Sequence, residues 1–131
     1  MRFMSIVRAN EANLPGPPPP ELFEAMDKLA REERASGTLV DDGGLYPGEE
    51  AAIVTLAGGK ISAVDGPYAE AKEVIGGYAI VDVRSREEAV EVARRFLQVH
   101  KDAWPGWEGT CEVRQVYEPE GPVDGCSAPR T

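Results

Sequence analysis

The chain is poor in the residues on which many catalytic and metal sites depend. Its 131 residues include two cysteines and one histidine, too few for a disulfide framework or a four-ligand zinc site. The sequence contains no GxGxxG, no phosphate-binding loop, no GxSxG and no HExxH pattern. A serine-histidine-aspartate triad would have one candidate histidine, His100. We therefore expect no metal site and no cofactor.

Basic residues and long apolar runs are also scarce. There are 14 basic against 23 acidic side chains, giving a net charge of -9. This charge repels a phosphate backbone or an anionic bilayer, so we expect no nucleic-acid or membrane partner. No apolar run approaches the roughly 20 residues of a membrane span, and the first residues lack the apolar stretch of a signal peptide. We therefore expect a cytoplasmic protein, with Cys111 in the core and Cys126 a free thiol.

The pattern of apolar and turn residues predicts one compact α+β domain at 1–117, followed by a loose tail at 118–131. Hydrophobic residues make up 42% of the chain, enough for one core. The predicted elements, in chain order, are a strand at 2–8, a proline-rich loop at 10–20, a helix at 21–36, strands at 38–42, 51–56, 60–62 and 75–83, a helix that begins at the Ser85 capping box, and a strand at 110–117.

This order is typical of a ferredoxin-like sandwich, β-α-β-β-α-β, with an extra hairpin. The strands around Ile53 and Ile80 are apolar on both sides, whereas two amphipathic helices cover one face of a sheet. A second copy of the chain is the simplest cover for the other face. The sequence therefore predicts a homodimer formed through the sheet faces.

The first segment that could carry chemistry is DGPYAEAKE at 65–73. Asp65 before Gly-Pro is typical of a turn, and Tyr68, Glu70 and Lys72 follow within a few residues. In one interpretation Asp65 caps the loop and Tyr68 packs on the sheet edge. In the other, the polar groups face a pocket, where a carboxylate near a tyrosine hydroxyl could handle a proton.

The longer segment DGPYAEAKEVIGGYAIVDV closely resembles the signature of the DGPF group of YCII-related proteins, DGPFAETKE followed by a Gly-Gly-aromatic strand. Tyr68 stands in place of Phe and Ala71 in place of Thr, and the resemblance extends over 2–117. It implies a ferredoxin-like fold that dimerises through its sheets, as a dimeric α/β barrel, and little about activity. Some relatives are considered enzymes because of a His-Asp pair near the first strand and helix. Since the histidine here is His100, that pair does not transfer.

The second segment surrounds His100, which follows Phe96 by four residues and prolongs the apolar stripe of its helix. In one interpretation His100 is a buried core residue. In the other it titrates at the mouth of an aromatic-lined pocket, oriented by Asp65 or Glu112. On the pocket interpretation the catalytic residues are Asp65 and His100, and the ligand-binding residues are Tyr68, Glu70, Lys72, Trp104, Trp107, Glu112 and Arg114.

Two functions remain open from the sequence. We expect a small dimeric protein that binds a small organic molecule near the DGPY loop, with weak acid-base chemistry. The alternative is a non-catalytic structural or interaction module, associated with transcription regulation. A cavity lined by Asp65, Tyr68 and His100 would favour the first function. The second would be favoured if all three were engaged in internal hydrogen bonds and no cavity were larger than a few water molecules.

Overall fold

The structure is a computed structural model that describes residues 1–46, 51–65 and 74–118. A short 3-10 helix at Glu11–Asn13 lies within the predicted loop at 10–20, before its run of prolines. From residue 119 onward, the predicted tail lies outside the described residues. The strands and helices are β1 (Arg2–Ala9), α1 (Pro20–Ala35), β2 (Leu39–Gly44), β3 (Ala52–Ala57), β4 (Lys60–Asp65), β5 (Val74–Asp82), α2 (Arg86–Ala103) and β6 (Gly109–Gln115).

The main sheet has four antiparallel strands in the order β2-β5-β1-β6. The predicted mixed α+β architecture is confirmed, and the strand order is compatible with a ferredoxin-like fold. Central strand β1 pairs Phe3 with Val81 of β5 and Ser5 with Val113 of β6. The register thus gathers inward-facing residues of three strands under the helices.

Proline, glycine and a serine cap explain both ends of α1 and the start of α2. Helix α1 has proline in its first turn, where the missing N–H costs little, and it is followed by Gly37 at φ 80°. Helix α2 is capped by Ser85, whose hydroxyl accepts a hydrogen bond from the Glu88 N–H at 3.1 Å. The Glu88 carboxylate accepts a hydrogen bond from the N–H of Arg84 at 2.8 Å. In a regular capping box it would accept from the N–H of Ser85 instead.

The core lies between the helices and one face of the sheet. Successive side chains of strand β1 point to opposite faces of the sheet, so Phe3 is buried in this core while Met4 and Ile6 lie on the opposite face. The core contains residues of β1, β2, β5, the β5–α2 turn and α2, namely Phe3, Leu39, Val81, Val83, Ala89 and Val92. The opposite face of the sheet, which carries half-buried Met4, Ile6 and Ile80, is called the outer face below.

The predicted hairpin is a separate two-stranded sheet of β3 and β4. Its turn consists of Gly58 and Gly59, with φ of 57° and 76°, which suits a two-residue type I′ turn. Strand β4 continues to Asp65, three residues beyond the predicted end. Val54, Leu56 and Ile61 are 69%, 72% and 75% exposed, so this hairpin presents an apolar surface to solvent.

Candidate functional site

A cavity of about 670 Å³ lies between the two helices and the inner face of the sheet. Helix α1 contributes Leu22 and Met26 to its wall, and strand β1 contributes Val7. Its aromatic end is formed by Phe96, His100, Trp104 and Trp107. Cavities of roughly 300–1,000 Å³ with mainly apolar walls are typical of small-molecule sites.

His100 lies in the last turn of α2, and 6% of its surface is exposed. Its Nδ1 atom is 3.0 Å from the carbonyl oxygen of Phe96. Because a carbonyl oxygen only accepts, Nδ1 donates and Nε2 of the neutral ring carries the lone pair. Burial lowers the pKa of His100, opposed by the Phe96 hydrogen bond. At neutral pH the ring is therefore a neutral acceptor on the cavity wall.

Aromatic rings hold the His100 imidazole on two sides. Its centroid lies 4.5 Å from that of Phe96 and 4.5 Å from that of Trp107. Trp104 is buried, and its ring centroid lies 6.3 Å from that of Trp107. The structure thus brings Trp104 and Trp107 together with His100. These residues form the aromatic wall of the cavity.

Two polar side chains that the sequence reasoning missed also line the cavity. The Ser5 hydroxyl is buried, and no hydrogen-bond partner reaches it from the part of the chain that the structure describes. The Oε2 atom of Glu33 is buried as well, 3.7 Å from Nη2 of Arg95. Burial raises the pKa of Glu33, and Arg95 opposes the shift. A serine between inward-facing Phe3 and Val7 was the signal in the sequence.

Cys111 is half-buried on β6 opposite Val7, and it lines the same cavity. Its predicted place in the core therefore holds in part. Burial raises the pKa of its thiol to about 11, so the thiol stays protonated at neutral pH. A protonated thiol is a weak nucleophile, and Cys111 therefore contributes shape rather than reactivity.

Glu112 and Arg114 lie on the outer face, away from the cavity, and this corrects their predicted role. Glu112 pairs across the strands with Ile6, and its carboxylate is 2.5 Å from Nη1 of Arg8 and 3.4 Å from Nε of Arg114. Both arginines form ion pairs with this carboxylate, and the sheet separates the carboxylate from His100. The backbone carbonyl of Phe96 orients the imidazole instead.

Asp65 does not reach the cavity either. It is exposed at the end of β4, where it pairs with Ala52 of the hairpin, and it does not line the cavity. The other predicted residues of the DGPY segment, Tyr68, Glu70 and Lys72, lie outside the described residues. The structure therefore does not bring Asp65 and His100 together as a pair.

The glycine pair that follows the DGPY segment borders the cavity. Gly76 and Gly77 line it together with Gly43, Gly44 and Leu45. A Cβ atom on Gly77 would lie 2.9 Å from the carbonyl oxygen of Gly43. Glycine therefore allows β2 and β5 to approach closely at this edge of the cavity.

Metal and membrane features can be assessed for the described residues. Within residues 1–46, 51–65 and 74–118, no group of three His, Cys, Asp or Glu side chains is arranged to hold a metal ion. No helix in these ranges is long and apolar enough to cross a membrane.

The fold and the site define a small α+β protein with an antiparallel sheet, two helices and an aromatic-walled cavity between them. The chain belongs to the YCII-related family, because the family model of the YCII-related domain matches residues 1–118. It is also similar to an uncharacterised protein of Rhizobium meliloti (strain 1021), with 29% identity over 96 residues. The alignment covers 72% of this chain and 73% of that relative.

Proposed function

We propose that this protein binds a small organic molecule in the cavity between its helices and its sheet. One observation carries the proposal: the buried imidazole of His100 lies on the wall of an apolar cavity of about 670 Å³, and Nδ1 is already bonded to Phe96. Nε2 then remains to accept a hydrogen bond from a molecule in the cavity. A convergent polar group in an apolar cleft is how small-molecule sites fix orientation.

The chemistry that His100 supports is weak acid-base catalysis. Burial lowers its pKa, so the ring is a proton acceptor of reduced basicity and is not charged near neutral pH. It can assist a ligand whose own group releases a proton easily. We propose that the entrance lies near the DGPY segment, because Gly76 and Gly77, which follow it after Val74 and Ile75, border the cavity.

We further propose that the protein is a homodimer joined through the outer faces of its ferredoxin-like sheets, in a dimeric α/β-barrel type of assembly. The helices pack on the inner face, and Met4, Ile6 and Ile80 form an apolar stripe on the outer face. Burying this stripe against its copy removes apolar area from water. The ion pair of Arg8 and Glu112 lies on the same face, where it can tolerate partial solvent exposure.

The binding proposal is tested with a variant that fills the cavity and a control variant with the same new side chain on the outer face of the sheet. Val7→Phe places a larger side chain in the cavity, and Ile6→Phe places the same side chain on the outer face. Calorimetric titration with indole and benzofuran is expected to show binding to the native chain and to Ile6→Phe, and loss of binding in Val7→Phe. If neither probe binds, or if both variants bind equally, the proposal is overturned.

A non-catalytic interaction module, including a partner in transcription regulation, is the second candidate function. The hairpin favours it, because Val54, Leu56 and Ile61 are largely exposed, and patches of this kind mark interaction surfaces. The two candidates differ in a simple binding assay. An interaction module would bind none of the aromatic probes, and Leu56→Lys would abolish its self-association or partner binding while Ser62→Lys would not.

A further inference from the structure

The charges around the cavity disfavour an anionic ligand. Among the described residues that line it, the cationic side chain is Arg34, which forms an ion pair with Asp42. The acidic side chains of the lining are Asp27, Glu33 and Asp42. A carboxylate or phosphate would lose its hydration here without gaining an available cation from the described lining residues. The net charge of -9 adds to this repulsion.

The polar atoms of the cavity favour a ligand that donates a hydrogen bond. Nε2 of neutral His100 accepts, and the buried Oε2 of Glu33, which forms an ion pair with Arg95 but no hydrogen bond in the described part of the chain, accepts when the carboxyl group is ionised. The Ser5 hydroxyl can accept or donate, and it lacks a partner among the described residues. A buried acceptor without a donor costs free energy, so a ligand with a donor stabilises this arrangement more than one without.

The aromatic wall favours a flat ligand. Phe96 and Trp107 lie on either side of His100 with centroid distances of 4.5 Å, and Phe23 also lines the cavity. Planar rings pack against such surfaces in offset or edge-to-face geometry, with a gain beyond the area buried. The aliphatic side chains Leu22, Met26 and Val7 add apolar surface to the lining.

Building on the proposed function, we infer that the ligand is an uncharged, planar, mostly apolar ring compound that donates an O–H or N–H hydrogen bond to Nε2 of His100. Organic anions of the same shape are excluded from the site. In this inference His100 is the acceptor that selects the ligand, on a wall that is otherwise mainly aromatic and aliphatic at that end of the cavity.

Two isosteric pairs of probes test this inference by calorimetric titration. Indole carries an N–H where benzofuran carries an oxygen, and indole-3-carboxamide is the uncharged counterpart of indole-3-carboxylate. We expect indole to bind about tenfold tighter than benzofuran, the cost of leaving one buried acceptor unpaired. The carboxamide should likewise bind at least about tenfold tighter than the carboxylate.

The variant His100→Phe tests whether His100 causes the preference for indole over benzofuran. His100→Phe retains a ring between Phe96 and Trp107 but removes the acceptor, so the preference for indole over benzofuran is expected to disappear. Arg114→Ala, on the outer face, should leave that preference unchanged. Circular dichroism verifies that both variants are folded. If His100→Phe does not fold, His100→Gln is measured instead. Its side-chain amide retains a hydrogen-bond acceptor, so the preference for indole over benzofuran is expected to remain.

The outcomes separate this inference from the proposed function. If no probe binds the native chain, the proposed function fails. If benzofuran binds as well as indole, or the carboxylate as well as the carboxamide, the cavity binds ligands but the inferred class is wrong. If the preference survives in His100→Phe, or is lost in a folded His100→Gln, the assignment to Nε2 is overturned.

Discussion

The indole of Trp107 lies against Gly109 so closely that no Cβ atom fits there. A side chain at residue 109 would also approach the carbonyl oxygen of Arg8 to 2.8 Å. The same indole packs on His100 with a centroid distance of 4.5 Å. Gly109 therefore leaves the space that the indole of the aromatic wall occupies, although it does not line the cavity itself.

Gly109→Ala is expected to destabilise the protein by about 1–3 kcal/mol, because the added methyl group must displace an indole or a backbone carbonyl. Urea unfolding followed by circular dichroism measures the loss, and tryptophan fluorescence should report the moved ring. The matched control is Gly76→Ala, since a Cβ atom there meets nothing within 4 Å. Equal stability of the two variants would show that the close approach at Gly109 is relieved without cost.

The pH dependence of stability should carry a contribution from His100. Its pKa in the folded chain is lowered from the ordinary 6.5 by burial, so between the two values the unfolded chain binds more protons. The stability that neutral His100 contributes is therefore fully present above about pH 6.5, and it decreases as the pH falls toward the pKa of His100 in the folded chain.

The measurement compares urea unfolding of the native chain and of His100→Phe at about pH 7.5 and about pH 5.5. The native chain should lose more free energy of unfolding on acidification than the variant does. His100 is the one histidine of the chain, and Glu33, whose raised pKa acts in the opposite direction, is present in both proteins. Identical losses in the two proteins would contradict a shifted His100.

Much of the fold could be predicted from the sequence because its signals are local. The Ser85 cap and the two glycines of the β3–β4 turn lie where turn and cap chemistry placed them. The strand predicted at 2–8 is β1, in which the neighbours Phe3 and Met4 lie on opposite faces as strand geometry requires. The ends of the elements shifted by a few residues, because hydrogen bonding to neighbouring strands decides them.

The site was harder to predict because it depends on register and packing between distant segments. Glu112 and Arg114 are two residues apart and therefore share one side of β6, but the pairing of Glu112 with Ile6 decides that this is the outer face. His100 was a candidate from the stripe of α2, whereas the Phe96 carbonyl that orients it is a backbone group. Sequence patterns do not reveal such a partner.

The cap of α2 provides a further test of how the His100 helix is held. The Ser85 hydroxyl accepts from the N–H of Glu88 at 3.1 Å, and Ser85→Ala leaves that N–H without its acceptor. We expect a loss of about 1 kcal/mol in the free energy of unfolding. The control is Ser62→Ala on the exposed hairpin, expected to be neutral, and chemical denaturation of both variants gives the comparison. A neutral Ser85→Ala would mean that water replaces the cap.

The proposed dimer makes a prediction about mass in solution. The chain of 14.1 kDa should sediment at about twice that mass, and Ile6→Lys should shift it to the monomer by placing a charge in the apolar stripe. Ile61→Lys, on the exposed hairpin, is the control that separates the two apolar surfaces. Dissociation by Ile61→Lys rather than Ile6→Lys would assign the interface to the hairpin instead.

Removal of the buried Ser5 hydroxyl is expected to affect stability and ligand binding in opposite directions. It has no partner among the described residues, so Ser5→Ala removes an unsatisfied polar group and leaves an apolar methyl in the core. The free energy of unfolding should stay equal or rise by up to about 1–2 kcal/mol, opposite to the loss expected when a hydrogen-bonded serine is removed. If the hydroxyl serves the ligand, indole should at the same time bind more weakly to Ser5→Ala than to the native chain. A destabilised variant with unchanged indole affinity would instead show that Ser5 is a structural residue, satisfied in solution by water.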